Sequence, residues 1–182
     1  IGVVLALAQI GFIYLCAGEA PAAAGWWGEC ARVSEASGNA WYQAYSQWGL
    51  GVAASLRADH DGAARLECMA LRTMRHMDDP MGVVLCLDAL AWAAAGRREA
   101  VRAVTLAAAA ERAWAAIPAT PAGPLLAHHD AALLVARAAL PGAAYRAAFA
   151  QGSAMDPAEA VAFALGEPAR SRPGNGRAGP GP

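Results

Sequence analysis

Helix-forming stretches interrupted at short intervals by the same kind of punctuation constrain this chain more than any other feature. Apolar residues recur at helical spacing over 2–17, 20–37, 40–58, 61–77, 80–96, 98–116, 125–140, 142–151 and 156–166, while strand signals are scarce. The breaks between them carry turn and cap chemistry: "AGEAP" at 17–21, "SGN" at 37–39, "DHDG" at 59–62, "DDP" at 78–80 and "AGRRE" at 95–99. Asp79 before Pro80 reads as an N-cap with a first-turn proline. Asp156, Pro157 and Glu159 make a capping-box start, and Gly166 and Pro168 mark the end of that last helix.

The units also repeat. Laying "LCAGEAPAAAGWWGEC" over "LRADHDGAARLECMAL" matches Leu15 with Leu56, Ala17 with Ala58, and Ala22 and Ala23 with Ala63 and Ala64. "AAAGRREAV" continues the series with Ala95 and Ala100. Small residues on both sides of a short turn let paired helices approach closely, as in tetratricopeptide-like arrays. The spacing, roughly 37 to 41 residues, exceeds the 34 of the strict repeat. The pattern predicts an all-α fold of three tandem tetratricopeptide-like hairpins over 1–117, an α-solenoid closed by a small helical cap over 118–166. The stretch 167–182, rich in Pro, Gly and Arg, reads as a flexible tail.

Composition narrows the functional classes. The 182 residues suffice for one domain with a substantial core. A net charge of −1 lacks the basic field of a self-sufficient nucleic-acid binder, so no direct nucleic-acid contact is expected. All 14 basic residues are arginine. Cys16, Cys30, Cys68 and Cys86 lie far apart in apolar helical patterns and read as reduced thiols of a cytoplasmic protein. The opening "IGVVLALAQIGFIYLCA" raises a membrane question, with Gln9 its one interruption and Trp26 and Trp27 following. At about 17 residues, with no basic residue before it, the run reads as a buried first helix in preference to a membrane segment. A start at Ile1 without Met reads as a fragment or a truncated translation.

No catalytic apparatus is legible. The chain has no lysine and so no phosphate loop of the usual kind, and it has no Gly-x-Ser-x-Gly elbow. His128-His129-Asp130 is the most enzyme-like cluster, but adjacent helical residues diverge and no second ligand pair is near, so it reads as a polar face at a helix start. No catalytic residue, metal or cofactor is expected in this chain. Arg65, Arg72, Arg75 and His76 gather opposite Leu66, Ala70, Met74 and Met77 and read as a solvated face, or as a dock for an acidic partner. Trp41, Tyr45, Trp48 and Val52 fall on one face of the helix that opens the second hairpin. This stripe is either inter-repeat core or the wall of a ligand or partner groove, and Trp41, Tyr45 and Trp48 are the candidate site residues.

Three stretches carry a resemblance: "AYSQWGLGVAASLRADHDGAARLECMALRTMRHMDDPMGVVLCLDALAWAAAG", "AAAAERAWAAIPA" and "LAHHDAALLVARAALPGAAYRAAFAQGSAMDPAEAVAFALGEP". In this order they resemble the segment upstream of the DNA-binding domain in large ATP-binding LuxR-type transcriptional regulators of actinobacteria. The likeness covers about 44–168. It departs from the family around "AWAAAGRREA", which is shortened, and at "ALPGAAYRAAF", where Pro-Gly replaces a commoner Gly-Glu. The resemblance implies a sensor or interaction module that binds an effector or partner protein. It would relay that state to a helix-turn-helix DNA-binding domain, with an ATPase domain as the other neighbour, and neither is visible in this sequence. A free-standing tetratricopeptide-like scaffold and a membrane-anchored adaptor are the alternative expectations.

Overall fold

A computed structural model describes residues 2–119 and 123–168. Among these the fold is all-α: α1 (Gly2–Cys16), α2 (Ala20–Ala36), α3 (Ala40–Leu56), α4 (His60–His76), α5 (Pro80–Gly96), α6 (Ala100–Trp114), α7 (Gly123–Ala138), α8 (Gly142–Ala154) and α9 (Pro157–Leu165). The expected tail lies outside the described residues beyond Pro168.

The repeat is more regular than the residues alone suggest. Helices α2 to α6 begin at residues 20, 40, 60, 80 and 100, and three residues separate each from its predecessor. The middle residue of every separator takes the left-handed conformation: Gly18 (φ 75°), Gly38 (66°), Ala58 (61°), Asp78 (51°) and Arg98 (62°). The next residue's N–H then reaches back to the carbonyl five positions earlier, as in Glu19 to Tyr14, Asn39 to Ser34, Asp59 to Ala54, Asp79 to Met74 and Glu99 to Ala94. This is the Schellman closure, which satisfies otherwise orphaned carbonyls at a helix end. That same residue starts the following helix. Asn39, Asp59 and Asp79 accept from the amides of Tyr42, Gly62 and Gly82 through their side chains.

From α1 to α6 consecutive helices pack antiparallel, and α1–α3 and α3–α5 also pack directly, while no comparable packing joins α2 to α4 or α4 to α6. The odd helices therefore form an inner row. The core follows from small residues that admit large ones. Trp27 of α2 lies so close to Gly11 of α1 and Gly49 of α3 that a Cβ on Gly49 would stand 2.2 Å from its ring. One repeat later Glu67 of α4 takes Trp27's place, against Gly51 of α3.

Helices α7, α8 and α9 close the C-terminal end. α8 crosses α6 where a Cβ on Gly152 would meet the Thr105 carbonyl at 2.1 Å. α9 packs on α4, α5 and α6 and has the capping box read from its sequence, with Gly166 left-handed at its end. Arg102 holds the carbonyls of Phe163 and Ala164, and Arg75 pairs with Glu167 at 2.7 Å. No helix among the described residues is long and apolar enough to cross a membrane.

Candidate functional site

The aromatic stripe of α3 divides into two parts. Trp48 is 3% exposed, edge-on to Trp27 with ring centroids 5.9 Å apart and stacked on Phe12 at 6.3 Å. Of the two readings open for this stripe, Trp48 takes the core one and leaves the groove set: α1 and α2 cover that end of α3. Trp41 and Tyr45 instead reach Asp79, the N-cap of α5. Trp41 Nε1 donates to Asp79 Oδ2 at 2.8 Å and the Tyr45 hydroxyl donates to the same oxygen at 3.1 Å. Burial, with Asp79 beside it, pushes the Tyr45 phenol well above its ordinary range. These two aromatics fasten α3 to α5, with Trp41 still 37% exposed.

Asp79 is also where the stripe meets an open groove of about 610 Å³. Its apolar lining comes from the start of α5 (Pro80, Val83), the end of α6 and beyond (Ala113, Ile117) and α9 (Ala158, Val161). Arg75, Asp78, Asp79 and Glu167 supply its charged rim. Trp41 and Tyr45 border this groove through Asp79 without lining it. The arginine face of α4 is exposed except that Arg75 is engaged by Glu167.

The His128-His129-Asp130 cluster is not merely a polar face, which corrects the expectation from sequence. His129 is 9% exposed and points its Nδ1 at Asp88 Oδ1 of α5, 2.9 Å away. The other Asp88 oxygen accepts from Trp114 Nε1 at 2.7 Å. A carboxylate held deep between α5, α6 and α7 is thereby satisfied on both oxygens, as a buried charge must be. The hydrogen bond to Asp88 raises the His129 pKa above its ordinary value against the opposing effect of burial, and the charges of Asp88, Glu111 and Asp130 add to the rise. His128 is half-buried beside the Trp92 ring, 6.2 Å between centroids.

This cluster borders a cavity of about 190 Å³, walled by Leu85, Trp92, Trp114, Leu125 and Leu126 together with Asp88, Glu111 and His129. Sequence reasoning missed the pairing because Asp88 and His129 are 41 residues apart. The available signal was Asp88 itself, a lone carboxylate inside the apolar run "VVLCLDALAW". Fold and site together define a helical-repeat protein that carries, among its described residues, an apolar groove and a smaller acidic, aromatic cavity. Comparison with protein-family models, curated proteins and solved structures finds no match to this chain.

Proposed function

We propose that this chain is a helical-repeat interaction module that docks an apolar segment of a partner protein, in the setting of a LuxR-type ATP-dependent regulator. The observation that carries the reading is the 610 Å³ groove, whose walls join the second and third hairpins to α9. In the regulators that the sequence resembles, the element at α9's position precedes the linker to the DNA-binding domain. A segment seated in the groove would touch that relay end and the repeat stack at once, which is the geometry a coupling element needs. Core apolar side chains with a charged rim are also the usual anatomy of a protein-docking surface.

The neighbouring ATPase and DNA-binding domains, an effector-bearing partner and cytoplasmic residence all belong to this proposal. The free-standing scaffold uses the same groove and differs only in what flanks it. Sequencing the gene across both ends of this chain separates the two: a nucleotide-binding domain upstream and a helix-turn-helix downstream support the regulator. With those domains in hand, titrating the isolated ATPase domain against this chain tests the groove. Ala116→Arg and Ala158→Arg, both at exposed lining positions, are expected to weaken binding at least tenfold with unchanged helicity. Equal binding by both variants would remove the groove from the reading.

A further inference from the structure

The smaller cavity between α5, α6 and α7 has a chemistry unlike the groove's. Two carboxylates line the cavity with His129, Asp88 of α5 and Glu111 of α6, and the charge of Asp130, the next residue on His129's own helix, adds to theirs. Among the described residues no arginine lines it, and the chain has no lysine. One imidazole therefore stands against a surplus of negative charge in an otherwise apolar space. Asp88 is fully engaged by His129 and Trp114. Glu111 is not: its Oε1 lies 3.8 Å from His129 Nε2, beyond hydrogen-bonding reach. Nε2 is thus the ring nitrogen left without a hydrogen bond, with Glu111 its charged neighbour at that longer distance, on a largely buried side chain that lines the cavity.

We propose that this cavity binds a small organic cation, a primary ammonium group on a compact apolar body. With Nδ1–H donating to Asp88, neutral His129 presents a lone pair at Nε2. An ammonium placed between Nε2 and Glu111 donates to both and neutralises the surplus charge. Trp92 and Trp114 add aromatic faces suited to a cation, and Leu85, Leu125 and Leu126 receive the apolar body. The volume matches: an apolar cavity of about 150 Å³ accepts benzene, and about 190 Å³ leaves room for a ring and one polar group. A carboxylate ligand is repelled by Asp88 and Glu111. A neutral alcohol could bridge protonated His129 and Glu111 but leaves the surplus charge in place.

Ligand and proton compete for the same nitrogen. A bound ammonium requires Nε2 unprotonated, so binding expels a proton from His129, and affinity rises with pH until His129 has titrated. The proposal does not depend on the regulator setting or on the groove, and it is tested without either. Benzylamine, benzyl alcohol and benzoate are titrated calorimetrically into the whole chain at pH 6, 7 and 8, in two buffers of different ionisation enthalpy. Benzylamine is expected to bind at least tenfold tighter than benzyl alcohol, more tightly at pH 8 than at pH 6, and with proton release at pH 6; benzoate is expected not to bind. Glu111→Gln, at a half-exposed side chain, is expected to lose at least tenfold for benzylamine while melting as the wild type does. Benzyl alcohol binding as tightly as benzylamine, benzoate binding, no benzylamine binding at 10 mM (about 100 times a modest 0.1 mM affinity), or an unaffected Glu111→Gln variant would each overturn the proposal.

Discussion

Glu67 shows how a single residue can oppose the fold that surrounds it. It sits where the preceding repeat places Trp27, wholly buried between Gly51 and Cys86, and among the described residues no N–H or O–H donates to its carboxyl oxygens, which leaves the weak Cys86 thiol beside them. Burial pushes its carboxyl well above the usual range, countered in part by the Cys86 thiol. A raised folded pKa fixes the sign of its pH dependence. The unfolded chain ionises Glu67 near its ordinary pKa of about 4.3 while the folded chain keeps it neutral, so stability falls as pH rises from that point toward the folded value. Glu67→Met, which removes two buried oxygens that only a weak thiol donor serves, is expected to stabilise by on the order of 1–3 kcal/mol at pH 7 and by less near pH 4. Urea melts of both proteins across that range measure it, and a difference that does not change with pH would mean Glu67 is ionised in the native state. Such residues are half legible in sequence. A carboxylate inside an apolar helix announces that something must neutralise it, as with Asp88, but the partner lies on another helix and no local pattern names it. The same limit applies to the aromatic stripe: helical spacing placed Trp41, Tyr45 and Trp48 on one face, and only the packing of α1 and α2 decides that Trp48 is covered and Trp41 is not.

At the scale of elements the helices were nearly all legible, because apolar periodicity and cap residues act locally. The 20-residue period was not. Its defining position is the left-handed residue of each turn, and that position holds Gly, Gly, Ala, Asp and Arg in succession, so only Gly18 and Gly38 carry the expected residue type. The closing hydrogen bond holds the other three in a conformation that costs an L-residue about 1–2 kcal/mol. Gly38→Ala should therefore destabilise by about 1–2 kcal/mol, since nothing lies within 4 Å of the added methyl and backbone strain is the whole effect. Ala58→Gly should stabilise by up to about 1 kcal/mol, because glycine's greater unfolded freedom offsets part of the relief. Thermal melts of the two variants check both signs. A neutral Gly38→Ala would mean the second turn does not hold the left-handed conformation in solution.

A stack of repeats makes an internal control of its own register. Ile13 of α1, Ala53 of α3 and Ala93 of α5 occupy the same position, 40 residues apart as the starts of α3 and α5 are, yet Ile13 is 63% exposed while Ala53 and Ala93 are both fully buried. Ala6 and Gln9 repeat the contrast, exposed where Ser46 and Gly49 are buried. The helices are alike, so what differs is the covering: each later inner helix has a preceding hairpin against this face, and α1 has none among the described residues. With Val3 at 66% and Leu5 at 44% exposed, α1 presents an apolar surface where a solenoid end is ordinarily polar. The same substitution should therefore have opposite outcomes along the stack. Ala53→Glu and Ala93→Glu place a charge in the core with no partner and are expected to cost 3 kcal/mol or more, of the order seen for an uncompensated buried charge. Ile13→Glu puts the same carboxylate in water and should stay within about 0.5 kcal/mol of the wild type. Chemical denaturation at low protein concentration, repeated at a concentration a hundredfold higher, reads both the cost and its origin. If Ile13→Glu proves as damaging as the other two only at the high concentration, the face of α1 is covered by a second copy of the chain. If it proves as damaging at both, α1 is buried within one molecule, and the exposed face described above is wrong.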